Sequence, residues 1–296
     1  MVQVISVEHL TKRYGSSLAL DDVSFGVDAG EVVGVLGPNG AGKTTTIEIL
    51  EGFRLPTAGS VRVLGRPPAA GGRRLKNRVG IVLQSAGSDS TLTVREAVGL
   101  YATFYRPRRP PGEVIAEVML EGTERTRIGQ LSGGQRRRLD LALALVGHPE
   151  VLFLDEPTTG LDPAARRRIW EVIGRLRARG VAVVLTSHYL DEVQRLADRV
   201  VVLRRGQVIA EGPPGQLGGP GATSISFRLD SRATLPSGPW ELRARGGGST
   251  TLSTAVPTEA LRILANWAAS EGFELEELEV RRPSLEEAYL ELTAKR

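Results

Sequence analysis

Cysteine is absent from the 296 residues. No disulfide and no thiolate metal site can therefore form, a composition that suits a reducing compartment. No apolar run approaches the roughly 18 residues needed to cross a membrane. The opening, Met1-Val2-Gln3-Val4-Ile5-Ser6-Val7-Glu8, lacks the basic start and long apolar core of a secretory signal. The chain is expected to be soluble by itself. Lysine is scarce, at four positions, so the basic excess of 38 Lys and Arg over 34 Asp and Glu, a net +4, is almost entirely arginine. The arginines fall in short runs such as residues 136–138 and 166–168, inside segments of helical periodicity. Solvated helix faces account for them, and no direct nucleic-acid partner is expected. The length and a hydrophobic content of 41% suffice for two domains of unequal size.

Among what is present, Gly37-Pro38-Asn39-Gly40-Ala41-Gly42-Lys43-Thr44 fits the phosphate-cradling pattern G-x-x-x-x-G-K-[ST] at every fixed position. Residues 32–36 before it read as a buried strand, and Thr45 with the residues that follow reads as a helix. Glycines let the backbone curl so that N–H groups face phosphate oxygens at a helix N-terminus. Lys43 would reach the β and γ phosphates, and the Thr44 hydroxyl would ligate Mg²⁺. The scarcity of lysine makes a chance match rare. Nucleotide binding is the expectation.

Residues 2–9 and 18–27 alternate apolar and polar side chains and predict antiparallel, half-exposed strands. Tyr14 falls between them on a predicted loop, where its ring either stacks on a base or packs as an ordinary surface residue. A turn is expected over 56–60, a strand over 61–64 and a loop over 67–72. Residues 79–83 read as another buried strand, with Gln84 at its C-terminal end. There a Gln carbonyl either completes a Mg²⁺ shell or holds an attacking water; alone it is an ordinary loop residue. Two helical patterns, 93–105 and 112–122, are separated by a proline-rich break. Leu131-Ser132-Gly133-Gly134-Gln135 then leads into a helix over 136–146, so Ser132 is either a simple cap or part of a second anion-binding helix start.

Residues 151–154 are consecutive apolar side chains suited to a central strand, closed by Asp155 and Glu156. Asp155 would hold Mg²⁺, and Glu156 would orient the attacking water. Asp162 is a good N-cap with Pro163 at the first helical position, which explains it without catalysis. His188 follows a strand over 181–185, where a ring N–H could reach a γ-phosphate. Since Gln84, Asp155, Glu156 and His188 all follow apolar strands, a parallel sheet would place them on the edge that bears the phosphate loop.

Taken together, these motifs resemble the ATP-binding cassette (ABC) family of ATPases over residues 2 to about 215. The resemblance rests on the loop 37–44, Gln84, the signature 131–135, the strand ending in Asp155 and Glu156, the loop Gly160-Leu161-Asp162, and His188. It implies an α/β phosphate-loop NTPase fold with an antiparallel β subdomain and an inserted helical subdomain, about 93–146. It further implies ATP and Mg²⁺ as cofactors, with Tyr14 on the adenine, Gln84 sensing Mg²⁺ and linking to a membrane partner, Glu156 directing water, and Lys43 and His188 on the phosphates. Two copies would pair head to tail as a homodimer. Ser132, Gly133, Gly134 and Gln135 of one would then close on the ATP of the other, near Asp162.

The tail reads as a linker, 216–223, and a small α+β domain, 224–296, after a cassette domain of 1–215. Residues 241–245 and 250–254 form an expected hairpin, 257–270 a helix, 273–280 a strand, and Ser284 with Glu287 a capping box for a last helix. The end, residues 282–293, is similar to the C-terminus of ATPase subunits of bacterial ABC-2 type exporters, including daunorubicin-resistance efflux ATPases. That resemblance implies a separate transmembrane permease and a place at the cytoplasmic face of the plasma membrane. A soluble cassette ATPase acting on DNA or ribosomes is the alternative. Its usual second cassette, coiled-coil insertion or zinc-binding cysteines are not found here.

Overall fold

The computed structural model describes residues 2–83, 90–217, 223–229, 234–246, 248–272, 274–281 and 284–294. They form two compact units, Met1–Glu211 and Gly212–Arg296. The first opens with strands β1 (Gln3–Tyr14) and β2 (Ser17–Asp28), then β3 (Val32–Leu36), helix α1 (Lys43–Leu50) and β4 (Ala58–Val63). Alternation on β1 and β2 buries Ile5, Val7, Leu20, Val23 and Val27, so these strands form an antiparallel sheet in the order β2-β1-β4 with one face dry. Tyr14 is a correction. It ends β1, paired with Ser17, rather than lying on a loop. Likewise Ala58 to Ser60, expected in a turn, belong to β4. A short helix, α2 (Gly72–Lys76), begins at the end of the expected 67–72 loop.

Next come β5 (Val79–Val82), α3 (Val94–Ala102), α4 (Pro111–Glu117), α5 (Gly133–Leu145), β6 (Val151–Asp155), α6 (Pro163–Ala178), β7 (Ala182–Thr186), α7 (Leu190–Leu196), β8 (Arg199–Arg204) and β9 (Gln207–Gly212). A six-stranded sheet has the order β5-β6-β7-β3-β8-β9, with the β5–β6, β6–β7, β7–β3 and β3–β8 pairs parallel. Side chains alternate across it. Val33, Val35, Phe153, Val184 and Val201 join the core shared with the antiparallel sheet and α1. Each such buried side chain contributes on the order of 1.5–3 kcal/mol. The other face receives helices: a Cβ on Gly34 would lie 2.6 Å from Val193 Cγ1 of α7, so glycine is required for that approach.

The inserted helices α3, α4 and α5 pack on one another, and α5 also packs on α6. A capping box between Thr93 and Glu96 starts α3. On α4 the Glu117 side chain is 3% exposed and forms ion pairs with Arg109 and, at 2.5 Å, with Arg179 just past α6. Arg175 Nη2 also donates to the Glu117 carbonyl at 2.8 Å. The run 136–138 departs from the expected solvated face: Arg137 and Arg138 are 9% and 5% exposed, because both guanidinium groups reach buried backbone carbonyls.

The second unit contains β10 (Thr223–Arg228), β11 (Glu241–Gly246), β12 (Ser249–Thr254), α8 (Pro257–Glu271), β13 (Glu276–Arg281) and α9 (Leu285–Ala294). Its antiparallel sheet has the order β11-β12-β10-β13 around Ile225, Phe227, Leu252, Ala260 and Leu264. β11 and β12 make the expected hairpin, and Ser284 and Glu287 exchange the two hydrogen bonds of a capping box.

Candidate functional site

The loop between β3 and α1 is shaped by glycines that have no substitute. Gly42 is the N-cap of α1 at φ 106, and a Cβ there would meet Leu20 Cδ2 at 2.5 Å. At Gly37 a Cβ would lie 2.3 Å from the Leu203 carbonyl oxygen. No side chain caps α1, and its first turn contains no acidic residue, so the positive end of the helix dipole is left to an incoming anion. Lys43 Nζ donates to the carbonyls of Gly37 at 2.6 Å and Pro38 at 3.1 Å. Burial pulls the Lys43 pKa down, while Glu156 and Asp155 push it up. The ammonium is thus half dry and faces two carboxylates.

These residues line a cavity of about 450 Å³ together with the ends of two other strands. Asn39 through Thr45 form one wall, and Asp155, Glu156, Thr186 and His188 the other. His188 Nε2 lies 2.6 Å from Glu156 Oε1. Thr159 Oγ1 donates to the other Glu156 oxygen at 3.1 Å. Glu156 itself sits at φ 48, a left-handed conformation uncommon for a residue with a side chain and concentrated at functional sites.

Thr186 and Glu192 escaped the sequence analysis. The Thr186 hydroxyl donates to Asp155 Oδ1 at 2.5 Å and accepts from the Glu156 N–H at 3.2 Å, fixing both acidic residues. Glu192 is fully buried and accepts from Ser187 Oγ at 2.6 Å and Trp170 Nε1 at 2.9 Å, which holds the turn that carries His188. Thr186 carried a signal, since it ends an apolar strand beside the acidic pair. Glu192 carried none, because its spacing is that of any helix acid.

Ser132, Gly133, Gly134, Gln135 and Asp162 do not line this cavity. Ser132 caps α5, accepting from Gln135 N at 3.2 Å while Gln135 Oε1 accepts from Ser132 N at 2.9 Å. Asp162 caps α6 through the N–H groups of Ala164 and Ala165, both at 2.9 Å, and those bonds hold its carboxyl below the usual carboxylate range. The two helix starts meet, since a Cβ on Gly134 would lie 2.8 Å from Ala165 Cβ. Tyr14 is also outside the cavity lining, with Lys12 Nζ 5.1 Å and Arg54 Cζ 5.4 Å from its ring centre. Gln84 lies outside the described residues.

The arrangement gathers an anion-binding helix start, an ammonium, two carboxylates and an imidazole around one cavity. It is suited to binding a polyphosphate and activating water beside it. Residues 20–159 match the family model described as ABC transporter, and residues 223–284 match that of the ABC transporter domain-containing protein-like C-terminal domain. The chain is 44% identical over 223 residues to a Nod factor export ATP-binding protein I of Burkholderia pseudomallei, covering 73% of each. It is 39% identical over 301 residues to the daunorubicin resistance ATP-binding protein DrrA3 of Streptomyces coeruleorubidus, covering 98% of this chain and 95% of the other. A solved ATP-binding subunit of an ABC transporter superposes with a TM-score of 0.68 at 25% identity, covering 98% of this chain and 99% of its own.

Proposed function

We propose, from the premise that the chain belongs to the ATP-binding subunits of ABC transporters, that it powers export through a separate ABC-2 type permease at the cytoplasmic face of the plasma membrane. It is an ATPase of that family, and its working form is a head-to-tail pair of identical chains. The observation that carries the paired form is the division of the site. One helix start, α1, faces the cavity with Glu156 and His188, while the other, α5, is exposed at Ser132 and Gly133 and absent from the cavity wall. A second copy supplies its α5 start to the nucleotide held here.

In this reading the α1 start and Lys43 take the β and γ phosphates, and Tyr14, flanked by Lys12 and Arg54, stacks on adenine. Thr44 and Asp155 offer the hard oxygen donors that Mg²⁺ prefers, and Gln84 is a further candidate ligand. Bound there, Mg²⁺ would neutralise phosphate charge. Glu156 orients the attacking water and His188 steadies the carboxylate while contacting the γ-phosphate. The exposed start of α5 from the second copy, Ser132 to Gln135, adds donors where charge spreads over the transferred phosphoryl oxygens. Two states that differ in contacts to the γ-phosphate then convert hydrolysis into opening and closing.

Glu156→Gln tests the reading. It keeps the shape of the side chain and is expected to bind ATP, lose turnover and accumulate an ATP-bound dimer in gel filtration. Normal turnover in that variant rejects the role of Glu156. Affinity purification from membranes is expected to bring an integral membrane protein with the chain; ribosomes without one would reverse the exporter assignment.

A further inference from the structure

Arg137 lies in the first turns of α5, and its side chain leaves that helix for the edge of the parallel sheet. Its Nε donates to the Pro157 carbonyl at 2.9 Å and Nη1 to the Leu83 carbonyl at 2.6 Å. Its Nη2 donates to the carbonyls of both Asp155, at 2.7 Å, and Glu156, at 2.9 Å. One guanidinium thereby joins three successive carbonyls, that of the last residue of β6 and the two after it, to that of Leu83 just past β5. The side chain is nearly dry. Burial pulls its pKa down, and the carboxylates of Asp140, Asp155, Glu156 and Glu192 oppose that. One turn along the same helix, Asp140 Oδ2 lies 3.8 Å from Arg137 Nη1.

Removing an arginine from water costs several kcal/mol, offset only when its donors are used in good geometry. Filling the same space needs no charge at all. The planar fork is instead matched to a stretch of backbone that needs holding, because Glu156 is in the left-handed region. On one side of Glu156 its N–H is fixed by the Thr186 hydroxyl at 3.2 Å. On the other side its carbonyl accepts from Arg137 Nη2 at 2.9 Å, a closer contact than the 3.4 Å bond it receives from the Thr159 N–H.

We propose that Arg137 is a positioning residue for ATP hydrolysis: by clamping the carbonyls of Asp155, Glu156 and Pro157 against α5, it holds Glu156 in the strained conformation that aims its carboxylate at the attacking water. The role rests on the assignment of Glu156 given above. It also means that the helix which presents Ser132 to a second copy carries, five residues further on, the group that sets the water-directing carboxylate of its own chain.

The test compares Arg137→Gln and Arg137→Lys in the full-length chain, with kcat normalised to the fraction of protein that binds ATP. Arg137→Gln is expected to lower kcat on the order of 100-fold, as a misplaced catalytic group does, with ATP affinity changed less than about threefold. Arg137→Lys keeps the charge without the fork and is expected to fall between the two. In single turnover, Arg137→Gln combined with Glu156→Gln is expected to be no slower than Glu156→Gln alone, because both act through one group. Wild-type kcat in Arg137→Gln, or a loss of affinity in step with kcat in both variants, overturns the role. Should Arg137→Gln fail to fold, normal kcat in Arg137→Lys overturns it as well. Glu156→Gln at the wild-type rate would instead reject the underlying assignment, whereas an inactive Glu156→Gln beside an active Arg137→Gln rejects the role of Arg137 only.

Discussion

Two helices of this protein begin with glycine-rich turns, and they begin in opposite ways. α1 starts at Gly42 with no side-chain cap, whereas α5 starts at Ser132 inside a complete capping box. An uncapped start leaves its dipole and N–H groups for a ligand; a capped one is stable by itself and keeps its hydroxyl proton free to donate. The difference teaches how one chain holds two anion-attracting ends without either mimicking the other. The first is left open and, in the proposed function, is completed by phosphate. The second is already complete and is presented at the surface.

The contrast breaks most visibly at Lys43. Lys43→Ala removes the ammonium at the open start and should weaken ATP binding about 100-fold, the worth of one or two charge-assisted hydrogen bonds. Titration with a fluorescent nucleotide measures this, and unchanged affinity would refute the assignment of the loop. At the capped start, Ser132→Ala should cost about 1 kcal/mol of stability through loss of the cap. It should also lower turnover about tenfold at saturating ATP, with nucleotide affinity of the isolated chain unchanged. Denaturant melts and steady-state kinetics on one preparation separate the two effects.

Gly133→Ala sharpens the comparison further. Among the described residues, a Cβ at Gly133 meets nothing within 4 Å, unlike one at Gly42. Stability should change by less than about 0.5 kcal/mol, while turnover falls several-fold if a second copy's nucleotide closes on this surface. Equal turnover in the variant would count against a shared site.

The smallest effect lies at the far end of α1. Burial, with help from Asp155 and Glu48, pushes the Glu51 carboxyl up to about 8 from 4.5. Between those values the folded chain holds a proton that the unfolded chain has released, so this group makes stability fall as pH rises through that window. Glu51→Gln is therefore expected to be more stable than the parent chain near pH 9 and little different near pH 5. Thermal unfolding across that range checks the sign.

Much of the fold was legible because the central strands are continuous apolar runs and each ends in a residue with a chemical use. Asp155, Glu156 and His188 come together in the cavity for that reason. The limits were equally physical. Tyr14 looked like a loop residue because Thr11 to Arg13 break the apolar alternation, yet β-pairing with β2 carries the strand to Tyr14. α7 went unread since charges at Asp191, Glu192 and Arg195 mask its buried face, whereas β8 carries in Val200 to Leu203 the same continuous apolar run as the strands before it. Arg137 was concealed in another way. Three arginines in a row read as a solvated stripe, and only backbone carbonyls from distant segments, which no side-chain pattern encodes, turn the middle one inward.

Glu117, clasped between Arg109 and Arg179, has a mechanical consequence. Parting that carboxylate from either arginine would strand charge in a dry place, at a cost of several kcal/mol. Arg109 belongs to the same inserted segment as Glu117, whereas Arg179 follows α6, so the carboxylate ties the insertion to the helix that leads into β7 and resists their separation at that point.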